Sequence, residues 1–455
     1  MAAYTNTTPT RAGLLRELGA SQAISIVIGV VIGSGIFLVP AEMMQAVGSA
    51  RLVYLAWIVG GLFSFFGAVT YAELGKLKPQ AGGEYVYIRD AYGPLAGFLC
   101  GWTWTVVVKP GSLAAISTGI VRILGSFNAL SFLMRTGGSL TVAGTLVAIA
   151  FVALISVVNY VGIRRAGNFQ LAFTVLKIAL IVIIAALAFT SSGGWSHFSM
   201  TYSAATGGAT EFFAAVTAAL WAYDGWSDLN MVAEEVKNPE RNLPIALIGG
   251  LLGIAALYML VNTAVQFALP PAAIAASSSP MSDAVAHSVL GGVAVVAVAA
   301  AMIIALTATL NGVAMSGSRM TFALSRDGNF FRFLSNIHPL FHTPHLAILV
   351  QGVLSVAFLL IGGNFRQLFT LALFAEWLSY TAASVALFVF QTRGLLPPEA
   401  RQMWKTILAP AVFIVASAAL LYYTFISNLR YSGLASLIIL AGIPVFYAFA
   451  LRRRV

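Results

Sequence analysis

The 455-residue chain is 59% hydrophobic and only 9% charged, with a mean hydropathy of +0.90. A soluble domain carries about 25% charged residues, so the folding medium is lipid, and the long uncharged runs exclude the alternating pattern of an outer-membrane barrel. The net charge of +10 is distributed by membrane side rather than along one face, so no nucleic-acid partner is expected.

Residues 1–21 form a polar N-terminal segment without the apolar stretch of a removable signal peptide. A bilayer crossing takes about 20 mostly apolar residues. Twelve runs meet that length, roughly 22–46, 52–74, 95–126, 138–162, 167–191, 209–234, 244–268, 285–324, 344–363, 366–391, 407–427 and 432–451. The predicted class is an all-α polytopic membrane protein. With the N-terminus inside, Arg11, Arg16, Lys76, Lys78, Arg89, Arg164, Arg165, Arg326 and Arg452–Arg454 all fall on the inner side. The outer side holds only Arg51, Arg122, Arg135, Arg366 and Arg430. That asymmetry places both termini in the cytoplasm of a cell whose inner membrane the chain crosses. The longest outer connections, about 191–208 and 269–284, are Ser-, Gly- and Ala-rich loops, and no segment outside the membrane is long enough for a separate domain.

The first span carries "VVIGSGIF" at residues 30–37, with Gly33, Ser34 and Gly35 near its middle. Gly29 and Gly33 also spell GxxxG, a helix-packing face. A dinucleotide fingerprint is excluded, because no strand precedes the glycines and the third glycine is missing. The sixth span carries "WAYDGWSD" at 221–228, with Asp224-Gly225 near its middle. Interrupted segments at matching positions of two halves mark a transporter site. Five spans separate them, an odd number, so the second copy enters from the opposite side. The expected organisation is an inverted repeat of 22–191 and 209–391, with 407–451 adding two peripheral helices.

A break in lipid is tolerated only where it lines a cavity or is buried in protein. The half-helix after it offers N–H groups and a positive dipole end to an anion. Ser34 and Gly35 suit a carboxylate, and the carbonyls at Val31 and Trp221-Ala222 suit an ammonium. A zwitterion fits that pair of dipole ends.

Lys109, Lys177, Asp224 and Glu376 lie deep within spans, each costing roughly 2.5–3.5 kcal/mol at a helix centre. They should face a cavity or one another. Lys177, about ten residues into span five, could donate to the carbonyls of a helix break, cycle its own proton, or serve structure alone. Asp224 could cap neighbouring N–H groups or meet substrate. Glu376 could accept a polar or cationic substrate group or pair with Lys109. Lys109 precedes Pro110, and the pair is expected to kink span three. "HPLFHTPH" spaces His338, His342 and His345 suggestively, but two prolines and the lack of acidic or cysteine neighbours argue against a metal. No protease, hydrolase or nucleotide motif appears, so neither an enzyme nor a cofactor is expected. The single cysteine, Cys100, cannot form an internal disulfide.

These pieces resemble the amino acid–polyamine–organocation superfamily, within it the prokaryotic L-type amino acid transporters. The resemblance rests on "IGSGIF" (32–37), "YAELGKLKPQAGGEYVYIRDAYG" (71–93), "KPGS" (109–112), "NYVGIRRAGNFQ" (159–170) and "FTVLKIALIVI" (173–183). "WAYDGWSDLNMVAEEVKNPERNLPIA" (221–246) and "NGVAMSGSRMTFALSRDG" (311–328) complete it. The YDGW form is similar to bacterial serine/threonine-type exchangers. The resemblance implies a LeuT-type fold of twelve helices, discontinuous in helices one and six, working by alternating access. It implies a substrate site from Val31, Gly33, Ser34, Gly35, Trp221, Ala222, Tyr223, Asp224, Gly225 and Glu376, with Trp221 as an aromatic gate. Gly29, Lys109, Lys177 and Asn311 are assigned to coupling and conformational change. Lys177 matches the position that sodium occupies in ion-coupled relatives, implying Na⁺-independent transport. Glu376 departs from animal members, and the cysteine that links those to a heavy chain is absent, so no disulfide-linked partner is expected. The reading is a secondary transporter exchanging neutral L-amino acids. Its rivals are a proton-coupled symporter, a polyamine or cationic amino acid transporter, and a non-transporting sensor.

Overall fold

The computed structural model describes residues 13–361, 365–398, 401–427 and 429–452. Arg11, Arg453 and Arg454, used above for the charge asymmetry, lie outside them. Among the described residues the chain is helical, with only isolated β-bridges.

The first span is two helices, α1 (Ala20–Val31) and α2 (Gly35–Val47), bent by 42° at residues 32–34. Unbroken crossings follow as α3 (Ala50–Leu77), α4 (Pro94–Gly125), α5 (Val142–Tyr160) and α6 (Ile163–Ala188). The next span starts as α7 (Ala209–Ala222), loses helical form at residues 223–227, and resumes in the short α8 (Asp228–Met231). Then come α9 (Pro239–Ala268), α10 (Gly292–Arg326), α11 (His345–Ile361), α12 (Phe365–Thr392), α13 (Trp404–Ile426) and α14 (Leu429–Arg452). Glu84–Tyr92 forms a separate helix before α4, and Pro280–Ala286 another before α10. The run read as 285–324 therefore begins later, at Gly292, because Gly291 takes φ +48° and starts a new helix.

The two broken spans cross at the centre. α1 packs on α6 and α10, while α2 packs on α7. The crossing is close because Gly35 has no side chain: a Cβ there would sit 3.3 Å from Ala222 Cα. Gly29 is required by packing, since its Cβ would fall 1.9 Å from Gln170 Nε2 on α6. Gly225 turns the second break at φ +105°, and a Cβ would meet Val30 at 2.6 Å.

One end of the bundle is closed by charge. Arg319 on α10 and Glu235, both 0% exposed, form a two-pronged pair at 2.7 and 3.0 Å. Arg326 pairs with Glu234, and Arg89 with Asp327. The backbone of Glu17–Leu18 donates to Glu235, and Lys237 donates to Leu18, tying the N-terminal segment onto the same knot.

Candidate functional site

Half-helix α1 ends on carbonyls that its own geometry leaves open. Lys177 Nζ donates to Gly29 O at 2.9 Å and Ile32 O at 2.8 Å, and Thr309 Oγ1 donates to Gly29 O at 3.1 Å. Lys177 is fully buried, and its Nζ sits at the negative end of the α1 dipole, where a cation is favoured. On the other side, Tyr258 Oη of α9 donates to Ala222 O at 2.7 Å and lies 3.3 Å from Val31 O. Nothing in the sequence singles out Tyr258, an aromatic in an apolar run, yet it joins the two breaks.

This changes the expected ammonium site. Val31 O already accepts from Gly33 N–H at 2.9 Å, Trp221 O from Asp224 N–H at 3.2 Å, and Ala222 O from Tyr258. Each keeps one further lone pair. At the start of α2 the geometry differs, because the first N–H groups of a helix have no partner within it. Ser34 makes no side-chain cap.

Between the breaks lies a cavity of about 150 Å³. Val31, Gly33, Ser34, Gly35, Trp221, Ala222, Asp224, Gly225, Glu376 and Lys109 all line it, with Thr309 and Tyr380 among the residues not foreseen. It extends along Ile116, Gly119 and Leu306, away from the ion-paired end. Asp224 and Glu376 meet carboxyl to carboxyl, and Tyr380 Oη donates to Asp224 at 3.2 Å.

Several expected roles are relocated. Lys109 does not pair with Glu376. Its Nζ lies 2.5 Å from Asp228 Oδ1 and 4.9 Å from the Trp104 ring, while Ser316 donates to the other Asp228 oxygen at 2.8 Å. Pro110 is accommodated by a widened π turn over Trp104–Val108, which relieves its clash with the carbonyl one turn back. Tyr223 is off the cavity, its ring buried against Trp57 and Tyr258. Asn311, assigned to conformational coupling rather than to the cavity, is bonded to Gln170 at 2.7 Å and Asn159 at 3.0 Å across three helices. His338 accepts the N–H groups of Leu340 and Phe341, and among the described residues no three metal-ligating side chains converge.

The class this defines is a multi-pass membrane protein with two interrupted helices facing one polar cavity. The amino acid permease family matches residues 18–449, and the chain belongs to that family. It is a membrane transporter of amino acids, not an enzyme. The chain is 32% identical to the serine/threonine exchanger SteT of Bacillus subtilis, over 97% of this chain and 98% of that one. It is 29% identical to the human b(0,+)-type amino acid transporter 1, covering 97% and 89%. The mouse Asc-type amino acid transporter 1 is 30% identical, covering 96% and 82%.

Proposed function

We propose that the chain exchanges amino acids by alternating access, independently of Na⁺, with the substrate held between the α1/α2 and α7/α8 breaks. The observation that carries this is the shared cavity: unpartnered helix-start N–H groups at Ser34 and Gly35 face it, and so do helix-end carbonyls. A zwitterion's carboxylate belongs at the first and its ammonium at the second. The ammonium of Lys177 occupies the place where a metal cation would otherwise bridge the α1 carbonyls, which supports Na⁺ independence. The twelve crossings group as inverted repeats 22–191 and 209–391 followed by 407–451. The ion-paired end faces the cytoplasm of the inner membrane, with both termini there.

The name of the Bacillus relative supports exchange of small neutral amino acids. A second reading, cationic amino acids, is favoured by one observation: Asp224 and Glu376 both face the cavity, while Lys109 is already paired to Asp228. Counterflow into proteoliposomes preloaded with unlabelled amino acid, with every common amino acid as competitor, tests both. Exchange unaffected by Na⁺ removal is expected, and binding without flux would make the protein a sensor. Glu376→Gln should weaken competition by lysine and arginine relative to serine, and an unchanged panel would remove Glu376 from the side-chain subsite.

A further inference from the structure

Glu84 starts the short helix Glu84–Tyr92 and is 0% exposed. Neither carboxyl oxygen has a hydrogen-bond partner, and the nearby Tyr71 hydroxyl has none either. An ionised carboxyl without a partner is not stable in a dry interior; it takes a proton instead. Every element around it is accounted for. Tyr71 comes from α3, Tyr87 from its own helix, Cys100 and Lys109 from α4, Ser227 from the second break, Asp228 from α8 and Tyr380 from α12. Lys109, the cation among these described groups, is held by Asp228.

A neutral Glu84 has an O–H to donate, and Ser227 is within its reach. Ser227 Oγ donates to Tyr380 Oη at 3.1 Å, and Tyr380 Oη donates to Asp224 at 3.2 Å. Asp224 lines the cavity. The chain Glu84–Ser227–Tyr380–Asp224 therefore joins an acid beneath the second break to the substrate cavity, with the Ser227 and Tyr380 hydroxyls pointing towards the cavity.

We propose that Glu84 carries a proton through the transport cycle, loaded from the cavity by this relay and released where the ion-paired end opens. In the loading step both hydroxyls turn about their C–O bonds. A hydronium ion in the cavity protonates Asp224 and leaves as water. Asp224 donates to Tyr380, Tyr380 to Ser227 and Ser227 to the Glu84 carboxylate, which becomes the acid while Asp224 ends as a carboxylate again. When the closed end parts, the acid ionises into the water that enters. Substrate movement then brings a proton with it, so net uptake accompanies exchange. The inference rests on the transport reading above and adds a coupled ion to it. Burial pushes the Glu84 carboxyl up to about 8, with the charge of Asp228 adding to the rise and that of Lys109 opposing it. The group thus changes charge near neutral pH.

The test uses the full chain in proteoliposomes with trapped pyranine and an equimolar mixture of L-serine and L-arginine outside. Wild type should acidify the lumen on amino acid addition, and an inward proton gradient should drive uptake into empty vesicles. Glu84→Gln, which keeps the shape of the neutral acid, should retain counterflow and lose the acidification. Counterflow in wild type without acidification overturns the inference while leaving exchange standing. Acidification in Glu84→Gln equal to wild type overturns the role of Glu84. If Glu84→Gln does not fold, Ser227→Ala decides: it should slow acidification relative to counterflow, and an unchanged ratio overturns the relay. Absence of any counterflow in wild type refutes the transport reading and this inference with it.

Discussion

Lys177 makes two charge-assisted hydrogen bonds to the carbonyls that end α1. Such bonds contribute about 1.5–3 kcal/mol each, and truncation leaves Ile32 O without that donor and Gly29 O with Thr309 alone. Lys177→Ala should therefore lower the melting temperature in detergent and reduce counterflow at least tenfold, a barrier change of about 1.4 kcal/mol, while saturable binding persists. Wild-type flux in that variant would show that the lysine only fills space. Glu84 gives a second residue-scale expectation with a definite sign. Its folded-state value of about 8 lies above the ordinary 4.5, so the folded chain binds the proton more tightly than the unfolded one. Its contribution to stability is fully present below 4.5 and is lost as pH rises through about 8. Melting temperature should fall across that window in wild type and fall less in Glu84→Gln; identical slopes would contradict the burial argument.

At the scale of elements, the two breaks were legible because glycine is the cheapest place to interrupt a helix. Ser34 and Asp224 beside those glycines are polar groups that line the cavity. What surrounds the breaks was not legible. Tyr258, Thr309 and Tyr380 sit in uninterrupted apolar helices, and their partners lie tens to hundreds of residues away. Arg319 was hidden the same way, inside a long hydrophobic run that ends at Arg326. Its partner Glu235 lies just beyond the short α8 that follows the second break, so the pair ties α10 to that segment. Breaking a buried pair by removing one partner costs about 3–5 kcal/mol, whereas apolar replacement of both is often neutral. Arg319→Met should lose that stability in thermal melts, and Arg319→Met with Glu235→Leu should recover most of it. Equal loss in the single and double variants would show that packing, not charge, closes this end.

The whole molecule is asymmetric across its thickness: a knot of ion pairs at one end and a cavity reaching towards the other. The charge asymmetry of the loops carries the proposal of which end faces the cytoplasm, but it says nothing of which end is closed, since closure depends on contacts between distant segments. The single cysteine, Cys100, is buried, which leaves a nearly silent background for thiol labelling. Ile116→Cys, on the cavity wall, should react with a membrane-impermeant maleimide applied from the outer face, and saturating substrate should slow that reaction. Labelling only from the cytoplasmic face would reverse the orientation proposed here.

Tyr258 carries one hydroxyl proton and faces two acceptors, one at the end of each broken helix. A donor shared in this way acts as a toggle. When the half-helices shift, the proton is handed from one carbonyl to the other, so a bond is exchanged and none is forfeited. Rearrangement of the centre is then nearly level in hydrogen-bond energy, and substrate contacts, rather than backbone rupture, decide which arrangement is populated. Tyr258→Phe should remove the handover, slowing counterflow more than it weakens binding, as single-turnover exchange against equilibrium binding will show.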